Sequence, residues 1–166
     1  YYAQTFDMAL DDSANIYLTG NFYDQNIDFD PGPGTYYMSV TGGISDHDFF
    51  LLKLNTNGNF VWVRNNDSSI YDDKGTGIGI DSQGNIITSM DYSTNAVKLA
   101  KWTPGGTYIY LNTGGSVTSS STIRSMKLIV DAADKIILSG SISGNVSWSG
   151  NQGTLSGFGG NDVFAQ

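Results

Sequence analysis

One hairpin-like stretch, LDDSANIYLTG at residues 10–20, returns as IDSQGNIIT at 80–88 and as VDAADKIILSG at 130–140. In each copy an apolar residue precedes an Asp, a tight turn follows, and a strand rich in β-branched residues leaves the turn. Asp11, Asp81 and Asp131 mark the three copies. Two short apolar runs that flank such a turn are typical of a β-hairpin.

A second hairpin pattern lies downstream of the first. The segment KLNTNGNFVW at residues 53–62 matches KWTPGGTYIY at 101–110 position for position. A third copy begins with DVFA at 162–165, which matches DFFL at 48–51, and the sequence stops at Gln166 before the turn. We therefore expect the last hairpin to be cut in half.

The two hairpins together define a repeat of four strands. The units run approximately over residues 1–66, 67–115 and 116–166. Four-stranded units of 40 to 50 residues in tandem are the signature of β-propeller blades. A β-sandwich or a β-solenoid is the alternative, but a sandwich would not need the same two hairpins in the same order three times. The sequence predicts an all-β segment: two full blades, each an antiparallel meander, and an incomplete third, in an arc of a larger propeller.

Composition agrees with an all-β fold and excludes several partners. The chain has 21 Gly among 166 residues, only 14% charged residues, and no Glu, so all 16 acidic residues are Asp, which favours turns over helices. The net charge is -8 and the eight Lys and Arg are scattered, which argues against nucleic acid. No Cys is present for a disulfide or a thiolate zinc site, and no apolar run approaches the roughly 18 residues that would insert into a membrane.

Three segments resemble a known repeat family: GIGIDSQGNII at 77–87, DFDPGPGT at 28–35 and FLLKLNTNGNFVW at 50–62. They are similar to the bacterial β-propeller repeats called SBBP, which resemble the repeats of NHL propellers. The second unit lacks the DFDPG loop, and the third keeps a diverged version near residues 146–154. The resemblance implies a large secreted or cell-surface protein of bacteria, and it carries no catalytic residues over.

The first unit carries an insertion in which candidate metal ligands are concentrated. Asn15 and Lys53 are 38 residues apart, whereas Asn85 and Lys101 are 16 apart, so 22 extra residues separate its second and third strands. Carboxylates beside the carbonyl groups of a Pro-Gly loop suit Ca²⁺, which takes six to eight oxygen ligands. The carboxylates and the one histidine of this insertion are Asp24, Asp28, Asp30, Asp46, His47 and Asp48. Asp28 and Asp30 are the predicted Ca²⁺ ligands; the alternative is that these residues shape turns and keep an exposed edge soluble.

Aromatic residues fall into two groups. Those that recur in register are expected to pack between neighbouring blades: Phe60 with Tyr108, and Trp62 with Tyr110. Those in the insertion are candidates for ligand binding together with the only histidine: Tyr23, Tyr36, Tyr37 and His47. The blade cores are predicted to contain Ile16, Leu18, Leu52, Leu54, Val61, Ile86, Ile136 and Leu138.

No motif points to catalysis. There is no Gly-x-Ser-x-Gly elbow, and a metal-dependent hydrolase would usually need more than one imidazole or thiolate. The glycine-rich segment 75–79 leads into a strand and lacks the Gly-Lys-Ser/Thr and the helix of a phosphate loop. We therefore predict no catalytic residues and no cofactor, with Ca²⁺ at Asp28 and Asp30 as the alternative left open.

The functional prediction is a non-catalytic scaffold or interaction module of a larger extracellular or cell-surface bacterial protein. Its expected partner is a protein or a polysaccharide. Two alternatives are kept open: a propeller that binds carbohydrate or protein through the insertion at residues 22–48, and a structural element that self-associates through open sheet edges.

Overall fold

β-strands make up all the regular structure in the part of the chain that the computed structural model describes, which is residues 2–41, 46–65, 73–92, 96–117, 122–143, 145–148, 154–156 and 162–165. Every strand pair among them is antiparallel, so the prediction of an all-β fold is confirmed. Within these residues no helix is present that could cross a membrane.

The first unit is a four-stranded meander, as predicted. It consists of β1 (Tyr2–Leu10), β2 (Ile16–Tyr23), β5 (His47–Leu54) and β6 (Phe60–Arg64), in the order β1-β2-β5-β6. The insertion forms a small hairpin of its own between the second and third of these strands. That hairpin pairs β3 (Ile27–Asp28) with β4 (Tyr37–Met38).

The second unit repeats this order, and the third contributes three strands. The strands of the second unit are β7 (Asp73–Ile80), β8 (Ile86–Tyr92), β9 (Ala96–Trp102) and β10 (Tyr108–Val117). Those of the third are β11 (Thr122–Val130), β12 (Ile136–Ser143) and β15 (Asp162–Ala165).

One hairpin departs from the predicted division into units. It consists of β13 (Asn145–Trp148) and β14 (Thr154–Ser156), and β13 pairs with β10 of the second unit. The meander of the second unit thereby becomes a six-stranded sheet. The physical reason is that β10 is the outer strand of its meander, whose edge leaves backbone groups unpaired until β13 binds them.

Consecutive sheets stack face to face in the same way twice. We call the face that packs on the next unit the forward face, and the opposite one the rear face. The forward face of the first sheet packs on the rear face of the second through Tyr17, Phe49, Leu51, Trp62, Ile78, Ile86, Met90, Ala100 and Trp102. The forward face of the second sheet packs on the rear face of the third through Ile87, Val97, Leu128, Leu138 and Ile142. Equivalent residues therefore make equivalent contacts in both interfaces.

The inserted hairpin covers part of the rear face of the first sheet. Ile27, Phe29 and Val40 of the insertion are buried against that face, in a cluster whose strand residues are Phe22, Phe50, Leu52, Leu54 and Val63. The insertion thus takes the place that a preceding sheet occupies in the second and third units.

The predicted core residues are placed correctly with one exception. Leu52, Leu54, Ile86 and Leu138 are buried, and Ile16, Leu18 and Ile136 are half-buried against the same clusters. Val61 is 44% exposed and lies at a register shift of β6, where its neighbours Phe60 and Trp62 pair with β5 and it does not, so its assignment to the core was wrong. The packing prediction was right for Trp62, which is buried, and wrong for Tyr108 and Tyr110, which are exposed on β10.

The glycine-rich segment of β7 lets neighbouring sheets approach closely. A Cβ atom on Gly77 would lie 2.7 Å from the backbone nitrogen of Leu128, and one on Gly79 would lie 2.6 Å from Val130 Cγ2. On the opposite side, a Cβ on Gly75 would lie 2.0 Å from Thr19 Oγ1. Any side chain at these positions would force the sheets apart, so the glycines set the spacing of the stack.

We predict that Gly77→Ala destabilises the chain by about 1–3 kcal/mol, the usual cost of overpacking a core. The clash is with the backbone of β11, which cannot move aside as a flexible side chain could. The measurement is the free energy of unfolding in urea.

Gly105→Ala is the matched control, because a Cβ there would meet only Thr103 Oγ1 at an ordinary 3.8 Å. Equal stabilities for the two variants would contradict the close approach of β7 and β11.

Candidate functional site

The turns that join the first two strands of the three units converge on one open cavity of about 530 Å³. Residues 10–13 border it from the first unit, 80–84 from the second and 130–132 from the third. Pro104 and Asp134 complete the lining. Five of the lining side chains are carboxylates: Asp11, Asp12, Asp81, Asp131 and Asp134. The cavity therefore lies at one end of the inner strands and has an acidic border.

Each of the three recurring Asp residues closes its own turn with the same pair of hydrogen bonds. One carboxylate oxygen of Asp81 accepts from the backbone N–H of Gln83 at 3.0 Å and of Asn85 at 2.8 Å. Asp11 and Asp131 accept equivalent bonds in their own turns. The recurring Asp is thus a turn-forming residue first.

The residue before the last position of each turn adopts a left-handed backbone. Its φ is 59° at Ala14, 79° at Gly84 and 61° at Asp134. Gly adopts this conformation without a steric cost, and Asp is tolerated there more readily than most residues. The three turns thus share one backbone shape, and each of them places its Asp on the border of the cavity.

A lysine of the third strand lies near the second oxygen of two of these carboxylates, in contact at Asp81 and farther away at Asp11. Asp81 Oδ2 lies 2.7 Å from Lys101 Nζ, and Asp11 Oδ2 lies 3.9 Å from Lys53 Nζ. Burial alone would raise the pKa of Asp81, but the hydrogen bonds from Lys101, Asn85 and the turn backbone outweigh it and lower the pKa. For Asp11, burial is likewise outweighed, chiefly by Asn15, and the pKa is lowered.

These contacts limit the chemistry of the cavity. A carboxyl group that donates a proton near neutral pH needs a raised pKa, whereas the pKa values of Asp11 and Asp81 are lowered. Over the described ranges, no three carboxylate or imidazole groups come together in a way that could hold a metal ion. The carboxylates of Asp12, Asp131 and Asp134 on this border are exposed.

The predicted ligand-binding residues are divided between two ends of the first sheet. Tyr23 pairs with His47 where β2 ends and β5 begins, and their ring centroids are 5.3 Å apart. Tyr36 stacks on Phe60 at 4.8 Å, next to the opposite ends of the same strands. The two ends lie seven residue steps apart along β2, roughly 23 Å of extended strand. Tyr37 is exposed on β4. The structure therefore does not gather these residues into one cluster.

Asp28 and Asp30, the predicted Ca²⁺ ligands, both bond to the backbone of their own loop. Asp28 Oδ1 accepts from the N–H of Asp30 at 3.0 Å and of Tyr36 at 2.8 Å. Asp30 Oδ1 accepts from the N–H of Gly32 at 2.7 Å. These are the contacts expected of the turn-shaping alternative, and Ca²⁺ binding at this loop stays a prediction.

Sequence reasoning missed the cavity although it found the residues that border it. The three Asp residues were recognised as markers of three turns, one turn at a time. The available signal was the recurrence itself, because equivalent positions of stacked units lie side by side. Lys53 and Lys101 gave a second signal. They occupy matching positions in the second hairpin of their units, on the third strand, and each is a cation that could face the recurring Asp.

No protein-family model matches the chain, and no curated protein matches it significantly. The role of the cavity is therefore inferred from its own contacts.

We predict that Asp81→Asn lowers the free energy of unfolding at pH 7 by about 1.5–3 kcal/mol, the typical worth of a hydrogen bond to a charged group. Because the pKa of Asp81 is lower in the folded than in the unfolded chain, its stabilising effect is present above the ordinary value of 3.8 and is lost as the pH falls through the folded pKa. The difference between wild type and variant should therefore shrink below about pH 4, as measured by urea unfolding across a pH series.

Asp12→Asn is the control, because Asp12 borders the same cavity but is exposed and lies outside the turn's hydrogen bonds. A loss of stability at Asp12 as large as at Asp81 would contradict the turn-forming role.

For the insertion, a chelator should lower the melting temperature if the loop binds Ca²⁺, and the double variant Asp28→Asn, Asp30→Asn should no longer respond. A melting temperature indifferent to chelator and to added Ca²⁺ would assign both residues to turn formation alone.

Proposed function

We propose that this chain is a run of β-propeller blades that serves as a non-catalytic scaffold and interaction module in a larger bacterial protein, secreted or at the cell surface. The partner would be a protein or a polysaccharide. The observation that carries the proposal is the repeated stacking: the same forward face packs on the same rear face between the first and second units and again between the second and third.

The inner strands support the assignment to propeller blades. Asp7 on β1 accepts a hydrogen bond from the backbone N–H of Ile78 on β7 at 3.1 Å, and it pairs with Lys127 on β11. One carboxylate of the first unit thus touches the inner strands of both other units. Inner strands that gather around a common line are what blades around a propeller axis present.

The use of the recurring carboxylates supports a non-catalytic role. Asp11, Asp81 and Asp131 would be the first residues to test as catalytic acids, since they border a cavity. Each one is instead engaged by two backbone N–H groups of its turn. A side chain that holds a turn is a scaffold residue, in keeping with what the resemblance to SBBP repeats implies.

The insertion supports a second candidate function, binding of carbohydrate or protein through residues 22–48. Tyr36 and Tyr37 are both exposed, and Tyr36 stacks on Phe60 at the start of β6. Exposed aromatic rings provide flat apolar surfaces with a polar hydroxyl, which suit sugar rings and protein interfaces. Ile27, Phe29 and Val40 of the insertion are buried against the sheet, so the proposed ligand surface is the exposed aromatic edge at Tyr36 and Tyr37.

The non-catalytic role is tested with chromogenic p-nitrophenyl glycosides and esters. The folded chain should release p-nitrophenol no faster than buffer, because each recurring Asp is engaged by its own turn and the pKa values of Asp11 and Asp81 are lowered. A faster rate that Asp131→Asn abolishes without unfolding the chain would contradict the proposal.

The binding candidate is tested by co-sedimentation with insoluble cell-wall polysaccharide. If the aromatic edge binds sugar, Tyr37→Ala should reduce the bound fraction, whereas Tyr110→Ala, which removes an exposed ring on a different sheet, should leave it unchanged. Equal losses in both variants would assign the binding to another surface.

A further inference from the structure

The inserted hairpin presents a carboxylate and an aromatic ring side by side. Asp28 of β3 and Tyr37 of β4 are cross-strand partners, and so are their neighbours Ile27 and Met38. Ile27 is buried and Met38 packs against the first sheet, so alternation along the strands turns Asp28 and Tyr37 outward. Both are exposed, Tyr37 to 59%. Directly opposed residues of an antiparallel pair have Cβ atoms about 4.5–5.5 Å apart, close enough to contact one ligand together.

The Asp28 carboxylate is held in place and keeps one oxygen available. Its Oδ1 accepts from the backbone N–H groups of Asp30 and Tyr36, at 3.0 and 2.8 Å. Its Oδ2 takes part in no hydrogen bond or ion pair with the described residues. A ligand that donates to Oδ2 therefore meets a group that its loop has already ordered, which lowers the entropic cost of binding.

The second exposed ring is fixed to the same carboxylate and to the sheet. Tyr36 donates its backbone N–H to Asp28, and its ring stacks on Phe60 with the centroids 4.8 Å apart and the planes at 29°. Phe60 in turn packs against the core cluster on the rear face of the first sheet. The aromatic edge, Tyr36 and Tyr37, is therefore anchored to the sheet.

The charge of the insertion argues against an anionic ligand. Residues 22–48 contain five Asp and no Lys or Arg, in a chain whose formal net charge is -8. A phosphate, sulfate or uronate group would find no cation in the insertion to pair with, and Asp28 and Asp30 would repel it. An ionised carboxylate only accepts hydrogen bonds, so the ligand has to donate them.

The size of the aromatic edge favours a polysaccharide over a protein. Tyr36 and Tyr37 are the exposed large apolar side chains among the described residues of the insertion. A stable protein interface takes about 800 Å² and about 20–30 residues from each partner, far more than two rings and one carboxylate offer. A sugar needs less, because its C–H face packs on one ring while its hydroxyl groups donate to an acceptor beside that ring.

We propose that the aromatic edge and Asp28 bind an uncharged polysaccharide, with the C–H face of one sugar on the Tyr37 ring and a hydroxyl group of that sugar donating to Asp28 Oδ2. The proposal rests on the binding candidate described under the proposed function and names its ligand, which is carbohydrate and not protein, and uncharged and not anionic. Asp28 is then a specificity residue as well as a turn-forming one.

Affinity electrophoresis tests the ligand class. The acidic chain migrates in a native gel at pH 7, and a polysaccharide cast into the gel retards the chain when it binds. We expect retardation by at least one of three uncharged polysaccharides, hydroxyethylcellulose, dextran and galactomannan. Carboxymethylcellulose and polygalacturonate, which are anionic, should cause none. A chelator in the gel should change nothing, because Asp28 contacts the sugar directly.

Asp28→Asn is the sharpest variant, because it keeps an oxygen to hold the loop and replaces Oδ2 with an amide nitrogen. Its dissociation constant, taken from retardation against polysaccharide concentration, should rise about fivefold, since a hydrogen bond to a charged acceptor is worth more than one to a neutral group. Asp12→Asn is the matched control, because it removes the same charge at an exposed site outside the insertion and should bind as wild type does.

Tyr37→Ala is the second variant, because it removes an exposed ring and leaves the loop's hydrogen bonds in place. It should abolish the retardation while the melting temperature stays close to that of wild type. This variant keeps the proposal testable even where Asp28→Asn loosens the loop.

Four results would overturn the proposal: no retardation by the uncharged polysaccharides, equal retardation by the anionic ones, equal affinities of wild type and Asp28→Asn, or loss of binding in chelator, which would route the contact through Ca²⁺. Each differs from failure of the binding candidate itself. Co-sedimentation with cell-wall polysaccharide that is lost in Tyr37→Ala would keep that candidate and reject only the ligand class or the role of Asp28.

Discussion

The close approach of the inner strands is the constraint on which the rest of the structure depends. Where β7 passes β11, the backbone at Gly77 and Gly79 leaves no room for a Cβ atom. This spacing lets the forward face of one sheet bury the apolar residues of the next rear face, and it brings the three Asp-closed turns to the border of one cavity. It also places Asp7 within reach of Lys127, two units away along the chain.

The outer ends of the sheets are held by contacts of a different kind. Trp62 packs against the turn at Gly106, where a Cβ atom would lie 3.1 Å from the indole, and Arg64 stacks on the same indole while its Nε donates to the Gly106 carbonyl at 3.0 Å. The φ of Gly106 is 79°, so glycine is needed there for its backbone as well as for the space. Lys53, which lies near Asp11, also donates to the carbonyl of Pro104 in this turn. Inner strands are thus joined by backbone proximity, and outer turns by aromatic and cationic side chains.

The features that the sequence could predict are local. Those it could not predict depend on contacts with a neighbouring strand or unit. The hairpins, their Asp-marked turns and the insertion between the second and third strands follow from short patterns, and the structure contains all of them. Whether an outer-strand residue is buried depends on what lies across from it, which is why Trp62 is covered and Val61 is exposed. The pairing of β13 with β10 joins two units and leaves no short-range signal. The glycines of β7 were recognised as unusual, but their role is visible only once β11 lies beside them.

The insertion and a neighbouring sheet are alternative ways to cover the same surface. In the second unit, which has no insertion, the first sheet buries the rear-face residues Ala100 and Trp102. In the first unit, the equivalent Leu52 and Leu54 are buried by the inserted hairpin. The carboxylates of the insertion then have a structural reason to be there, because a short two-stranded hairpin is marginally stable alone and needs its loop fixed. Asp28 fixes that loop through two backbone N–H groups. A segment that looks like a ligand-binding loop by composition therefore also serves as the cover of a sheet, through Ile27, Phe29 and Val40, while Tyr36 and Tyr37 stay exposed.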